Sequence, residues 1–373
     1  MTKLADEVWV LTRFNNRKVI EADQLSHTPG LHFIYYDLPK WVLRLKNLSC
    51  FMPLYFILWQ WGAYRLAAKH HIQKPFDSVY HVTFVSMLYG SFMGRLDIPF
   101  VIGPIAGGEK TPFSLRRNMP VVGKVKELLR DFGIILQRYS PLSHLAYAAA
   151  ERIYVASTDS LRLIPSKWHS KTAVHLAIAT HGTFVNNNER RPLNPPRFVY
   201  AGRLLYWKGV HFAIRALAEA RKQIPAATLT LIGTGADERW LREVAKRSGV
   251  AEAVEFAGHL RHQQLIDALQ RYTALVFPSL HDSGGMVVLE ALSEGLAVIC
   301  LNLGGPGIMV NESCGIVVPT ANTNEAKTVT AIANAMISLA CMPASESLRL
   351  SKGAIARANE LSWTNLTKRV TVR

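Results

Sequence analysis

Short apolar runs alternate with amphipathic stretches through the second half of the chain. Three of the runs are Thr228–Ile232, Ala274–Phe277 and Ala297–Leu301, and each is followed by a segment of helical periodicity. Strands that are apolar along their whole length have both faces buried, which is typical of a parallel sheet covered by helices on either side. Ligands of such sheets bind at the carboxyl ends of the strands. The pattern therefore predicts an α/β domain whose site residues follow its strands.

The first half of the chain shows the same alternation, with long helical stretches predicted at residues 40–70 and 120–149. Residues 182–196 are polar, proline-rich and without periodicity, which indicates a linker. A length of 373 residues, 49% of them hydrophobic, suits two domains facing each other across a cleft. The predicted units are residues 1–182, a linker at 183–196, a second domain at 197–350 and a C-terminal helical segment at 351–373. Candidate strands of the first domain are residues 7–12, Leu31–Tyr36, 78–82, 100–103, 152–156 and 172–176.

A glycine pair, Gly284 and Gly285, opens a short predicted helix at Met286. A glycine turn between a strand and a helix leaves several backbone N–H groups pointing one way, and such a helix N-terminus attracts phosphate. Asp282 precedes the glycines and Glu290 lies within the helix. Because a carboxylate repels phosphate, these two acids suit hydroxyl groups instead. Phosphate and hydroxyl binding side by side is what a nucleotide-sugar needs.

A cationic motif follows an earlier predicted strand. Arg203 and Lys208 stand five positions apart after the strand ends, and Gly209 leads into the next helix. Two cations at the carboxyl end of a strand suit a diphosphate, because they neutralise the charge that gathers on it as a leaving group.

Together, these motifs resemble the signature of the retaining family-4 glycosyltransferases, which have the GT-B fold. The family pattern is a carboxylate, seven residues and then Glu, and Asp282 and Glu290 match this spacing. The upstream pattern of Arg, four residues and Lys is matched by Arg203 and Lys208. One departure is Asp282, because the family usually has the longer Glu there. The resemblance is strong over residues 197–320 and loose over the first half.

The resemblance implies an α/β, GT-B fold of two Rossmann-like, doubly wound domains. It also implies a retaining transfer of sugar from a nucleoside-diphosphate sugar to a hydroxyl acceptor, without a metal ion or other cofactor. In the family, the loop that corresponds to Gly258 packs near the nucleobase. The residues implicated are His81, Asp282, Arg203 and Lys208 in catalysis, and Arg203, Lys208, Gly258, Gly284, Gly285, Met286 and Glu290 in donor binding.

Two features of the first domain face the predicted cleft. The family's first-domain pattern is Asp-x-x-His-x-His; Asp77 matches its acid, but His81 lies between the two histidine positions. His81 could orient the sugar of the donor, or it could be structural. A Gly/Pro loop that ends at Glu109 could approach the donor or the acceptor closely, or it could be a tight loop without a ligand.

The net charge of +16 requires an explanation. No helix-turn-helix, zinc spacing or stacking motif accompanies it, so we expect no nucleic-acid partner. A basic, aromatic-rich first domain suits an anionic membrane surface, where a glycan or polyprenyl-linked glycan acceptor would lie. Residues 50–61 are too few to span a bilayer and form either an interfacial patch or a core helix. The basic residues concerned are Arg44, Lys46, Arg65, Lys69, Arg116, Arg117, Lys124, Lys126, Arg130 and Arg138.

Four cysteines form neither a CxxC pair nor a histidine-rich cluster, which indicates reduced thiols in a cytoplasmic protein and no metal site. The first residues are polar, so no signal peptide is expected. Two other functions stay open: an inactive GT-B remnant that only binds its ligand, and another GT-B enzyme such as a nucleotide-sugar epimerase. The strand at residues 7–12 reads like the family's second strand, and the first glycine is Gly30. We therefore expect a strand and a helix ahead of Met1, unless the chain is a natural variant that starts with this strand.

Overall fold

The computed structural model describes residues 5–45, 51–82, 88–181, 184 and 193–370. The first domain contains two groups of parallel strands, β1–β2 and β3–β4–β5–β6, and no ladder joins the two groups within these ranges. Its strands are β1 (Val8–Arg13), β2 (Leu31–Tyr36), β3 (Val79–His81), β4 (Phe100–Ile105), β5 (Arg152–Val155) and β6 (Thr172–Val174). Its helices are α1 (Arg17–Ala22), α2 (Lys40–Leu45), α3 (Met52–Gln73), α4 (Val121–Arg138), α5 (Pro141–Ala149) and α6 (Thr158–Leu163).

Each long helix predicted in the first domain is found as two. The stretch at residues 40–70 contains α2 and α3, and residues 46–50 between them lie outside the described ranges. The stretch at 120–149 is divided between α4 and α5. Pro141 cannot continue a helix but suits the first turn of a new one, and the Ser140 side chain caps that turn by accepting a hydrogen bond from Ser143 N.

The second domain is a six-stranded parallel sheet in the order β12–β11–β10–β7–β8–β9. From β7, the chain adds β8 and β9 towards one edge of the sheet and then β10, β11 and β12 towards the other edge. The strand order therefore reverses between the neighbours β7 and β10. The four central strands are almost wholly buried, as their apolar sequences predict, but the two edge strands are partly exposed. They are β7 (Arg197–Ala201), β8 (Thr228–Ile232), β9 (Val254–Gly258), β10 (Ala274–Phe277), β11 (Ala297–Leu301) and β12 (Gly315–Val318). The helices are α7 (Val210–Ala220), α8 (Glu238–Arg247), α9 (His262–Leu269), α10 (Met286–Ser293), α11 (Pro306–Met309), α12 (Glu325–Ala340), α13 (Ala344–Glu360) and α14 (Trp363–Lys368).

Residues at the end of the chain contact the first domain. The His175 ring, which follows β6, lies 3.0 Å from Leu366 O, and the Tyr154 hydroxyl of β5 donates to Arg369 O at 3.1 Å. At another contact between the domains, Glu325 at the start of α12 accepts from Asn118 N at 2.8 Å. The two domains therefore touch through both α12 and the C-terminal helix. Most of the predicted linker, residues 183 and 185–192, lies outside the described ranges.

Among the described cysteines, Cys300 and Cys314 are buried, Cys341 is exposed, and none forms a disulfide; Cys50 lies outside these ranges. No single helix in the described part of the chain is both long and apolar enough to cross a bilayer. Helices α12 and α13, bent by 111° at their junction, meet that test only as a pair and only by length and composition.

Candidate functional site

A cavity of about 540 Å³ lies between the two domains. Its walls follow the carboxyl ends of β4, β7 and β10, and β7 and β10 are the neighbours between which the strand order reverses. Open parallel sheets bind ligands at such a position, and the volume is in the range of small-molecule sites. The lining residues are Phe56, Tyr89, Ala106, Gly107, Glu109 and Arg130 from the first domain and Trp207, Lys208, His281, Asp282 and Ser283 from the second.

Two of the predicted catalytic residues meet at the wall of this cavity. The Lys208 ammonium forms an ion pair with Asp282 Oδ2, although 74 positions separate the two residues in the sequence. The other carboxylate oxygen of Asp282 accepts from Gly284 N at 3.2 Å. Each side chain is mostly buried but reaches the cavity. The wall therefore presents an ammonium group, which can donate hydrogen bonds to a diphosphate, beside a carboxylate, which can accept a hydrogen bond from a hydroxyl.

The turn that carries Lys208 packs directly on the end of β10. Leu280 N donates to Trp207 O at 2.9 Å. Gly209 has a φ of +68°, and a Cβ atom built on it would lie 1.9 Å from Pro278 O. No other residue allows this close approach, so the glycine after Lys208 is what lets the two segments meet.

The predicted phosphate turn forms the start of α10. Gly285 caps the helix with a φ of +99° and no side-chain hydrogen bond, and Met286 is the first helical residue. Glu290 lies one turn further along, 3.6 Å from the His262 ring. Burial raises the pKa of Glu290. Gly284, Gly285, Met286 and Glu290 are not part of the cavity lining, although Asp282 and Ser283 just before them are.

Three other predicted site residues also lie outside the cavity lining. Arg203 follows β7, is exposed, and its guanidinium makes no hydrogen bond or ion pair with any described residue. Gly258 ends β9 at the edge of the sheet, and its carbonyl accepts from Gly233 N at 2.7 Å. His81 is the half-buried last residue of β3. The roles assigned to these three residues stay predictions.

A contact between the domains was not predicted from the sequence. The Glu127 carboxylate of α4 accepts from the Tyr206 hydroxyl at 3.1 Å and lies 3.0 Å from His281 Nε2. The His281 ring stacks on Trp207 with 5.7 Å between ring centroids. Burial raises the pKa of Glu127, but the hydrogen bond and charge of His281, together with the nearby Thr111 and Tyr206 hydroxyls, outweigh burial and lower it to about 2. The only sequence signal was the position of His281, next to Asp282.

Glu109, predicted at the tip of a loop in the cleft, is buried with its carboxylate already occupied. It accepts from the Ser157 hydroxyl at 2.7 Å, the Ser160 hydroxyl at 3.0 Å and Gly107 N at 3.0 Å. The Arg130 guanidinium donates to Glu109 O at 2.8 Å. Glu109 therefore holds the loop that forms part of the wall.

Arg116 was predicted as a surface cation, and this is wrong. Its side chain is buried because it forms an ion pair with Asp131 at 2.7 Å and donates to Thr111 O. Arg130, another predicted surface cation, is half-buried and lines the cavity. Arg116 and Arg130 therefore direct their charges to contacts within the protein and not to its outer surface.

Residues 184–346 match the family model described as Glycosyl transferases group 1. A stretch of 129 residues, 34% of this chain, is 41% identical to 31% of a glycogen synthase of Mycobacterium tuberculosis (strain ATCC 25618 / H37Rv). A stretch of 179 residues, 45% of the chain, is 27% identical to 40% of a D-inositol 3-phosphate glycosyltransferase of Corynebacterium diphtheriae. The matched part of the chain thus spans less than half the length of these relatives.

Two solved structures resemble the chain over nearly its whole length. The lipopolysaccharide outer core galactosyltransferase WaaB has a TM-score of 0.60 and 13% identity over 92% of this chain and 84% of its own. Anabaena Alr3699/HepE in complex with UDP and glucose has a TM-score of 0.56 and 14% identity over 99% and 92%. At these identities the likeness shows the fold alone. The chain therefore has an α/β fold of the GT-B class, as its sequence predicts, and its residues 184–346 are similar to the glycosyltransferase group 1 family.

Proposed function

We propose that this protein is a retaining glycosyltransferase that moves a sugar from a nucleoside-diphosphate sugar to a hydroxyl of a glycan or polyprenyl-linked glycan. The observation that carries the proposal is the Lys208–Asp282 pair at the wall of a cavity between two α/β domains. The glycosyltransferase group 1 domain, which contains both residues, supports sugar transfer as the reaction class.

In this proposal, the donor's diphosphate lies against Lys208 and the N-terminus of α10. Lys208, Arg203 and the backbone at Gly285 neutralise the charge that develops on the diphosphate as it leaves. Glu290 accepts hydrogen bonds from the ribose hydroxyls, and Asp282 accepts from a hydroxyl of the sugar.

Retention of the anomeric configuration follows if the acceptor approaches from the face that the diphosphate leaves. The bond between the anomeric carbon and the diphosphate oxygen breaks, and a bond to the acceptor oxygen forms on the same face. The acceptor's proton passes to the departing phosphate oxygen. No side chain then has to act as a covalent nucleophile.

A UDP-sugar is the first donor to test, because the solved structure of Alr3699/HepE, which shares the fold, holds UDP and glucose. For the acceptor, we propose a glycan on the cytoplasmic face of the plasma membrane, with the protein bound peripherally to anionic lipid. The net charge of +16 supports that location.

The test is to incubate the purified chain with UDP- and GDP-sugars and follow the donor by NMR. A retaining transferase should slowly release nucleoside diphosphate and give a free sugar that initially has the donor's anomeric configuration. Conversion of the donor's sugar without release of the nucleotide would support the epimerase instead. Binding of a donor without turnover would support the inactive remnant, and the inverted anomer would exclude retention.

A further inference from the structure

Helix α4 is amphipathic, but its apolar face points away from the protein. Its exposed side chains include Val125, Leu128, Leu129, Phe132, Ile135 and Leu136, which we define as the outer face of α4. A surface helix of a globular protein normally buries its apolar face and exposes its polar one. Helix α4 does the reverse, so this apolar surface needs a cover that the described residues do not provide.

The polar side of α4 is held inward by specific contacts. Glu127 is hydrogen-bonded to Tyr206 and lies 3.0 Å from His281 Nε2, both in the second domain. Asp131 is paired with Arg116 at 2.7 Å. These buried charged contacts fix the rotation of the helix, because turning the apolar face inward would leave the charges without partners.

Basic residues border the outer face. With about 3.6 residues per turn, Lys124 falls on one border and Lys126 on the other, and both are exposed. The acidic residues of α4 are Glu127 and Asp131, and both are turned inward. The outer face therefore combines an apolar stripe with flanking positive charge and carries no acidic side chain.

We propose that the outer face of α4 docks on an anionic lipid bilayer, with its apolar side chains at the boundary of headgroups and acyl chains and with Lys124 and Lys126 among the headgroups. An apolar stripe with basic borders is the composition of helices that lie in a membrane interface. Both features are needed: the stripe explains the attraction to acyl chains, and the borders explain the preference for anionic headgroups.

A second copy of this chain is a poorer cover. Two outer faces packed together would bring their basic borders into one interface, and each chain carries a net charge of +16. Like charges at an interface oppose association. An anionic bilayer has the complementary sign.

Helix α3, which forms another part of the cavity wall, also exposes apolar side chains. Helix α3 exposes Leu54, Leu58 and Trp61, part of the segment predicted as either an interfacial patch or a core helix. Tyr55 and Gln60 of the same helix are buried, so the core alternative holds for that face, while the interfacial alternative stays a prediction. Phe56 of α3 lines the same cavity as Arg130 of α4. Both helices that form this wall therefore expose apolar side chains.

If the proposed function is right, docking through α4 would place the cavity beside the lipid surface. The inner side of the helix supplies Arg130 to the cavity, while its outer face lies on the membrane. An acceptor with a lipid anchor would then reach the cavity without leaving the bilayer.

The test is flotation of the full chain with vesicles of phosphatidylcholine alone or mixed with phosphatidylglycerol. The protein should bind only the mixed vesicles, and added salt should weaken binding. Replacing two outer-face residues, Leu129→Ser with Phe132→Ser, should reduce binding at least about tenfold. Because both side chains are exposed by more than half, the fold should be retained. Lys124→Gln with Lys126→Gln should reduce the salt dependence.

Val19→Ser is the matched control, because Val19 is 75% exposed on α1 of the first domain and lies on neither α4 nor α3. It should bind vesicles like the unchanged chain. No binding to anionic vesicles, equal binding to neutral ones, or unchanged binding by the Leu129/Phe132 variant would overturn the proposal. A dimer that the same variant dissociates would assign the face to a second copy instead. Titration with UDP in vesicle-free solution tests the donor site separately, so failure of one proposal is distinguishable from failure of the other.

Discussion

The geometry of the candidate site depends on residue 209 being a glycine, which has no side chain. Its positive φ is rare for other residues, and a Cβ atom would lie 1.9 Å from the carbonyl oxygen of Pro278. That oxygen belongs to the backbone at the end of β10, so it cannot rotate away as a flexible side chain could. The contact holds the Lys208 turn beside Asp282.

We predict that Gly209→Ala destabilises the protein by clearly more than Gly249→Ala. Gly249 has a similar φ of +70° but no heavy atom within 4 Å of its Cβ position, so it reports the backbone strain alone, about 1–2 kcal/mol. The collision at Gly209 should add to that cost. Urea denaturation of both variants measures the difference, and equal losses would show that the close approach is not needed.

Helix α4 links the cavity to the protein surface, and its Glu127 contacts Tyr206 and His281 of the second domain. Because the pKa of Glu127 in the folded protein is about 2, below its ordinary value of 4.5, the ionised carboxylate stabilises the folded state. That stabilisation is present above about pH 4.5 and is lost as the pH falls towards 2.

We predict that Glu127→Gln lowers the free energy of unfolding by about 1–3 kcal/mol at neutral pH. It should also remove part of the stability loss that the unchanged protein shows between pH 4.5 and 2. Urea denaturation at several pH values within and above this window tests both effects. A variant whose stability follows pH as the unchanged protein does would show that Glu127 is not the group responsible.

The elements themselves were largely predictable from the sequence. Apolar runs such as Thr228–Ile232 were predicted as buried strands, and the structure confirms this. A short apolar run is a local feature of the sequence, so it can be recognised without knowing what the strand packs against. The orientation of α4 was not predictable. Periodicity indicates that a helix has two faces, but the partners that turn its polar face inward, Tyr206 and His281, lie 79 and 154 positions away.

For the whole molecule, the sequence predicted two α/β domains, and the structure adds how they form one cavity. Lys208 and Asp282, which both line the cavity, could be identified because each belongs to a short motif that follows a strand and is visible within a few residues of the sequence. The first-domain wall was harder to predict. Its residues Phe56, Tyr89 and Arg130 come from separate helices and loops and carry no shared motif. The predicted residues His81 and Arg203 lie outside the lining, and their roles remain to be tested.

The role of the donor site is tested by comparing turnover of a nucleotide-sugar by the unchanged chain with turnover by Lys208→Ala and Glu290→Ala. Loss of a charge-assisted contact worth about 1.5–3 kcal/mol should reduce donor use roughly tenfold or more in Lys208→Ala. Lys222→Ala, which removes an exposed lysine of the same domain from outside the cavity lining, should leave turnover unchanged. Near-normal turnover in both Lys208→Ala and Glu290→Ala would contradict the account.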